Sequence, residues 1–453
     1  MKTTEFDYTF AFVPIQNKST QVTLLTHRED KRDYFTISID DSALSINGLP
    51  TVPSICADLL DLAIAIHVAD RLIRRQKDVS LSFQVVLPVR NYDVFVRSNV
   101  CNLLSEVLDW YTNDLWHFEF SKREALGRNV EVQSQLPWEN LSSKNVEVAL
   151  WSGGLDSLSG LYTRLLTNLE PHHFLVGTGS NSNVHKRQKQ IADVISQSFS
   201  SRITLVQIPY HWHNTPLPEK NFHQRTRGLV FMLIGAACAY HIGSNSLFIY
   251  ENGIGAINLP YSKAQVGIDQ AKSVHPLSLL RVSELLSSIL DSPFQVTNPF
   301  WLWTKAQMVE SLISNEGKKL IPLSSSCDRI HRLEDGITQC GVCTSCLLRR
   351  QSLCASGIDD QTIYDNKFKD KNDSHLTAML HQVNRIRMLL KETNPWVSLS
   401  KEYYDLDDIV DQISSKTNQE PSYLRMQIIQ LYSKYVDEWN LFEKFIEKTL
   451  QPA

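Results

Sequence analysis

The sequence predicts an α/β protein: a parallel sheet with helices on both faces, preceded by an α+β module and followed by a helical region. Three observations predict it. Residues 145–300 alternate apolar runs of strand length with amphipathic runs of helix length. Residues 1–144 carry short alternating runs between charged turns. Residues 367–453 are charged, with apolar side chains at three- and four-residue spacing. A chain of 453 residues accommodates these as three units, divided as 1–144, 145–366 and 367–453.

In the first unit, QVTLLT (21–26) and YFTISI (34–39) are joined by the charged HREDKRD, the pattern of a hairpin. Residues 56–75 are apolar at helical spacing and end in arginines, which suit a helix C-terminus. Val79, Leu81, Phe83, Val85 and Leu87 alternate, predicting a strand that stops at Pro88. Residues 99–110 predict a helix, and Trp116, Phe118 and Phe120 another strand. No catalytic constellation stands out here, so a structural or partner-docking module is expected. The polar stretch GRNVEVQSQLPWENLSSKN (127–145) marks its end.

The second unit opens with strand VEVALW (146–151) and a helix over 156–169. HFLVGT (173–178), a helix over 186–198 and ITLVQIP (203–209) come next. A helix over 227–240 and a strand and turn at SLFIYENG (246–253) complete the series. This rhythm puts ligands at the carboxyl ends of the strands. In the third unit, 376–390 and 423–450 predict helices. Leu424, Ile428, Leu431, Tyr435, Trp439, Phe442, Phe445 and Ile446 form packing stripes, which would also serve to close a homodimer.

Composition narrows the class. Apolar residues make up 42% and the net charge is −4, which gives no general reason to expect nucleic-acid binding. MKTTEFDYTF lacks an apolar signal core, and the longest apolar stretch, GLVFMLIGAACAY, is too short to span a bilayer. A cytoplasmic chain with no membrane partner is expected.

Two stretches carry chemistry. In VEVALWSGGLDSLSG (146–160), two glycines and two serines separate the first strand of the α/β unit from its first helix. Glycines let the backbone turn sharply and approach a ligand, and the helix that follows offers unpaired N–H groups. The two hydroxyls suit phosphate oxygens. Asp156 would repel phosphate unless Mg²⁺ bridges them. No GK[ST] follows, so this is not a Walker A loop; a helix cap with a glycine turn is the plain alternative. The second stretch is CDRIHRLEDGITQCGVCTSC, with Cys327, Cys340, Cys343 and Cys346. A Cys-x₂-Cys-x₂-Cys run wraps an ion better than it fits one helix face. Four thiolates favour a structural Zn²⁺ site over an iron–sulfur cluster, redox cysteines or core thiols. His331 is an alternative ligand. Cys56, Cys101, Cys238 and Cys354 read as core residues.

SGGLDS resembles the SGGxDS loop of the PP-loop ATP pyrophosphatases, whose fold is adenine nucleotide alpha hydrolase-like. The resemblance implies that Ser152, Gly153, Gly154, Leu155, Asp156 and Ser157 hold the β,γ-phosphates of ATP with Mg²⁺. Ser152, Asp156 and Ser157 are then the candidate catalytic residues. ATP would be cleaved to AMP and pyrophosphate as a carboxyl, amide or urea-type oxygen is adenylated. By position, the adenine cradle falls on 175–179, hence on Val176, Gly177 and Thr178. With the downstream Cys…CGxCxxCxxRR pattern, WTKAQM (303–308) and the arginines Arg349 and Arg350, residues 145–355 resemble 7-cyano-7-deazaguanine synthase, QueC. That family adenylates 7-carboxy-7-deazaguanine; ammonia gives an amide, and a second ATP gives a nitrile.

The departures are specific. Arg227-Gly228 stands where the family has Arg-Asn, and ENGIGAINLPYSKAQVG (251–267) replaces its Tyr-Pro-Asp-Cys-Arg segment. With the added first and third units, these features resemble the QueC-like proteins of bacterial antiphage operons, the QatC type above all. That resemblance implies ATP-dependent chemistry on a 7-deazaguanine carboxylate, with a protein amine as acceptor in place of ammonia and other proteins of the operon as partners. A nitrile-forming synthase and a non-catalytic ATP-binding scaffold are the alternatives. Arg227, Glu251, Asn252, Lys263 and His275 are the candidate substrate contacts; Arg225 and the basic set Lys186, Arg187 and Lys189 have weaker claims. His211 and His213 alternate without a third ligand and read as hydrogen-bonded or surface residues.

Overall fold

Among the described residues, ten strands form one sheet, ordered β10-β9-β6-β7-β8-β3-β2-β1-β4-β5. They are β1 (Tyr8–Pro14), β2 (Ser19–Thr26), β3 (Lys31–Ile39), β4 (Ser82–Val89), β5 (Leu115–Lys122), β6 (Val146–Leu150), β7 (His172–Gly179), β8 (Ile203–Trp212), β9 (Ser246–Phe248) and β10 (Gln295–Thr297). The computed structural model describes residues 6–15, 19–45, 51–73, 75, 79–124, 127–132, 145–199, 202–213, 224–261, 271–329, 338–365 and 374–450.

Strands β6 to β10 run parallel, as the strand–helix rhythm predicts. The run HHFLVGTG of β7 is buried almost throughout because both of its faces are covered. Phe174 and Val176 enter one core with helix Arg227–Ile242. Ala149 and Leu175 enter the other with helices Leu155–Thr167 and Ser182–Ser198. From β6 the chain steps to β7 and β8 on one side, then returns to β9 and β10 on the other. The order therefore reverses at β6, and a crevice opens at the carboxyl ends of β6 and β9.

The predicted hairpin is present as β2 and β3, but the sequence reading missed β1 and the pairing that follows it. β3 lies antiparallel to β8, with Ile37 opposite Trp212 and Ile39 opposite Tyr210, so the N-terminal strands extend the same sheet. The strand expected to stop at Pro88 runs through it to Val89. Arg123 N–H donates to the Val89 carbonyl at 2.9 Å, so the odd-numbered residues face β5. Pro88 faces the β1 side, where pairing has ended at Ala11–Val86, and no N–H is needed there.

Helix Ser54–Leu72 is buried nearly all round because it packs against both β4 and helix Arg227–Ile242. Asp70, at its end, accepts from the Thr226 backbone at 3.0 Å and hydroxyl at 2.9 Å, tying the two helices together. Asp70→Ala strands both buried donors and should cost about 3 kcal/mol, read as a lower urea midpoint at unchanged slope.

Helix Pro421–Leu450 packs on helices Thr344–Ala355 and Ser374–Leu389. Its stripe residues Leu424, Ile428, Leu431, Tyr435, Trp439, Phe442 and Ile446 are buried within the chain, while Phe445 is exposed. Among the described residues, no helix is long and apolar enough to cross a membrane.

Candidate active site and metal centre

A cleft of 1150 Å³ lies over the carboxyl ends of the parallel strands. Its floor is the stretch after β6. Gly153 has a φ of +71°, a turn that an L side chain would strain. Gly154 is the N-cap of helix Leu155–Thr167. Ser152 Oγ accepts from the Gly154 N–H at 3.1 Å and shares a 3.0 Å hydrogen bond with Ser157. Ser157 also donates to the Gly154 carbonyl at 3.0 Å, so its hydroxyl shapes the loop and does not form part of the cleft wall. The Leu155 N–H points to Ser326 Oγ at 3.2 Å, and its side chain is in the core.

Asp156 is the centre of a buried polar network. It is ion-paired with Lys305, and its Oδ1 accepts from Asn252 Nδ2 at 3.0 Å. Asn252 also donates to Glu251 Oε1 at 2.7 Å, and its own Oδ1 caps helix Gly253–Ile257 through the Gly255 N–H. Burial and the Asp156 charge push the Glu251 carboxyl up to about 8. Glu251 and Asn252, proposed from their place after a strand, thus meet Asp156 on the cleft wall. Lys305 was given no role by the sequence reading. Its signal was the capping box Thr304-x-x-Gln307, which starts its helix and fixes its direction.

That helix is anchored from the C-terminal region. Thr304 donates to Glu438 at 2.5 Å, and Gln351 Nε2 donates to the other Glu438 oxygen at 3.1 Å. Burial pushes the Glu438 carboxyl from 4.5 up to about 7, so the fold favours its neutral form. The stability that it contributes is full below the unfolded value and is lost as pH rises through about 7. Gln351 Oε1 lacks a hydrogen-bond partner and, with its amide turned, can accept from a glutamine at 438. Glu438→Gln should therefore stabilise the protein by on the order of 1 kcal/mol near pH 8 and make no difference near pH 4. Paired urea titrations at the two pH values check this.

The other candidates divide. Thr178 lines the cleft, with its hydroxyl donating to the Ile208 carbonyl at 2.8 Å. Val176 and Gly177 do not: the Val176 carbonyl accepts from Trp151 at 2.8 Å, and a Cβ on Gly177 would meet Gln188 at 2.4 Å. The β7 edge of the cleft instead runs from Thr178 to Asn181. Arg227 lines the wall beside Phe231, its guanidinium 5.2 Å from the ring centre. Arg187 also lines it, whereas Arg225 donates to the Thr112 carbonyl at 2.7 Å. His211 is on the wall, and His213 shares a 2.8 Å hydrogen bond with Ser38. His275 is not on the wall. It is buried, and its Nδ1 accepts from the Leu277 N–H at 3.3 Å to start helix Pro276–Leu290. Burial, Lys272 and Arg281 hold its pKa down to about 3. Lys263 and His331 lie outside the described residues.

The four cysteines converge as their spacing predicts. Their sulfurs lie within 4.8 Å of one another and are buried. The Cys340–Cys346 separation of 3.8 Å matches the edge of a tetrahedron with Zn–S bonds of about 2.3 Å. Backbone N–H groups of Arg329 and Cys340 point to Cys327 Sγ, each at 3.3 Å, and the Cys343 N–H points to Cys340 Sγ at 3.4 Å. These residues fit zinc. The cluster also touches the loop after β6: Cys327 lines the cleft, Ser326 accepts from Leu155, and the Ser325 N–H donates to the Gly153 carbonyl at 3.0 Å. Buried Arg349 braces this strap through Ser324 Oγ at 2.8 Å and the Ile321 carbonyl at 2.7 Å.

Residues 181–357 match the family model described as QueC, queuosine biosynthesis protein QueC. This segment is QueC-like. It holds Glu251, Asn252, Lys305 and the four cysteines, while the SGGLDS loop lies just ahead of it. No curated protein matches the chain. The QueC-like segment indicates a PP-loop, ATP-utilising enzyme related to 7-cyano-7-deazaguanine synthesis. The cysteine cluster could hold its zinc.

Proposed function

We propose that the cleft adenylates the carboxylate of a 7-deazaguanine and passes the acyl group to an amine. One carboxylate oxygen attacks the α-phosphorus of ATP and pyrophosphate leaves. An amine then attacks the acyl carbon, AMP leaves, and the amine proton goes to solvent. The observation that carries this reading is the SGGLDS loop at the point where the strand order reverses, with Asp156 joined there to Lys305 and Asn252. Ser152, Gly153 and Gly154 would bind the departing pyrophosphate. Asp156 and Glu251 are the carboxylates that would hold Mg²⁺, which neutralises phosphate charge. Lys305 supplies a further positive charge. Catalysis of this type is positioning and charge neutralisation, and needs no nucleophilic side chain.

We further propose that the acceptor is a protein N-terminus and that the setting is an antiphage system with partner proteins. Support comes from the replaced substrate segment at 251–267 and from the large units flanking the QueC-like segment. The family match itself favours a second reading, in which ammonia is the acceptor and free nitrile the product. Incubation with ATP, Mg²⁺ and 7-carboxy-7-deazaguanine, with either ammonia or a protein bearing a free N-terminus, separates them. The first reading predicts a mass increase on the protein acceptor. Nitrile from ammonia alone supports the second. ATP binding without turnover of any kind leaves an ATP-dependent scaffold.

A further inference from the structure

The N-terminal unit, which offered no chemistry to sequence reading, reaches the cleft. His67 and Arg71, on helix Ser54–Leu72, line its wall at the end of β8 together with Tyr210, Trp212, Arg227 and Phe231. His67 is 4% exposed, and its Nε2 has no hydrogen-bond partner. Its ring lies 4.5 Å from that of Tyr210 and 5.9 Å from that of Trp212, centre to centre. Burial and the Arg71 and Arg227 charges keep it neutral, its pKa pushed down to about 3. The described carboxylates on the cleft wall, Asp156, Glu251 and Asp328, belong to other segments: the first turn of helix Leu155–Thr167, the loop after β9 and the cysteine strap. The β8 end thus presents two guanidiniums and a set of aromatic rings; Asp70, next to Arg71 on the helix, interacts with it electrostatically while its oxygens accept from Thr226 and Arg75.

We infer that this wall is a second subsite, which receives a planar heteroaromatic carboxylate: Arg71 and Arg227 take the charge, and the rings beside them take the plane. Guanidinium groups pair strongly with carboxylates, and aromatic faces accept flat rings. The subsite is separate from the pyrophosphate loop, because β6 and β8 are two strand spacings apart, about 10 Å. On this account the N-terminal helix decides which co-substrate enters. The inference rests on the reading of the cleft as one that handles such a carboxylate, but its test needs no turnover.

Titrate full-length protein with 7-carboxy-7-deazaguanine, with its carboxamide, and with α,β-methylene-ATP. Arg71→Met should weaken carboxylate binding at least tenfold, leave the carboxamide within about twofold, and leave the nucleotide unchanged. Arg71→Lys should recover part of the carboxylate affinity. This charge selectivity is what a purely structural arginine would not show. Equal losses for carboxylate and carboxamide, a loss confined to the nucleotide, or wild-type protein that binds no carboxylate would overturn the subsite. Carboxylate binding without ATP cleavage would keep the subsite and reject the adenylation reading.

Discussion

Asp156→Asn should lower pyrophosphate release at least a hundredfold, the scale set by losing one preorganised electrostatic group in an active site. The same change removes the charge that compensates Lys305, which is 4% exposed. A buried ammonium left without its partner costs about 3–5 kcal/mol, so the variant should also melt earlier. Catalysis and stability are separated by adding Lys305→Met. The double variant removes both charges and should recover most of the stability but none of the activity. Thermal melts alongside a pyrophosphate assay give both readouts. Recovery of activity in the double variant would mean that the pair is only structural.

Cys343→Ser should abolish zinc binding by the cysteine cluster and, with it, the shape of the SGGLDS loop. Three thiolates hold zinc far more weakly than four, and metal binding in such a site is folding free energy. The strap that carries Cys327 also carries Ser325 and Ser326, which bond to Gly153 and Leu155. Metal analysis should therefore fall from one zinc per chain to nearly none, and amide exchange should rise across both 324–328 and 152–156. ATP analogue binding should weaken at least tenfold as a consequence. Zinc loss with unchanged exchange at 152–156 would uncouple the two sites.

Much of the α/β unit was legible because parallel strands buried on both faces read as mainly apolar runs, as β6 and β7 do, while β8 alternates buried and half-buried residues from Val206 to Tyr210. The cysteine cluster was legible because its spacing is local. What the sequence hid was non-local. Three residues of β3 meet three of β8 across the sheet, and no local pattern encodes that pairing. Arg71 looked like the polar end of a buried helix; only the packing of that helix against Arg227–Ile242 turns it toward the cleft. Lys305 lies far along the chain from Asp156, so its role depends on Thr304 and Glu438 holding the helix start. His275 shows the converse error. A histidine in a loop before a helix looked available, yet its ring caps that helix. Val176 and Gly177 were placed by analogy of position, and the cleft begins one residue later, at Thr178.

This cleft should break ATP between its α- and β-phosphates when a heteroaromatic carboxylate is present. Phosphorus NMR of wild-type protein with ATP, Mg²⁺ and 7-carboxy-7-deazaguanine tests it most directly. AMP and pyrophosphate should appear in equal amounts, dependent on the carboxylate and lost with Asp156→Asn. ADP and inorganic phosphate, or intact ATP under these conditions, would contradict it.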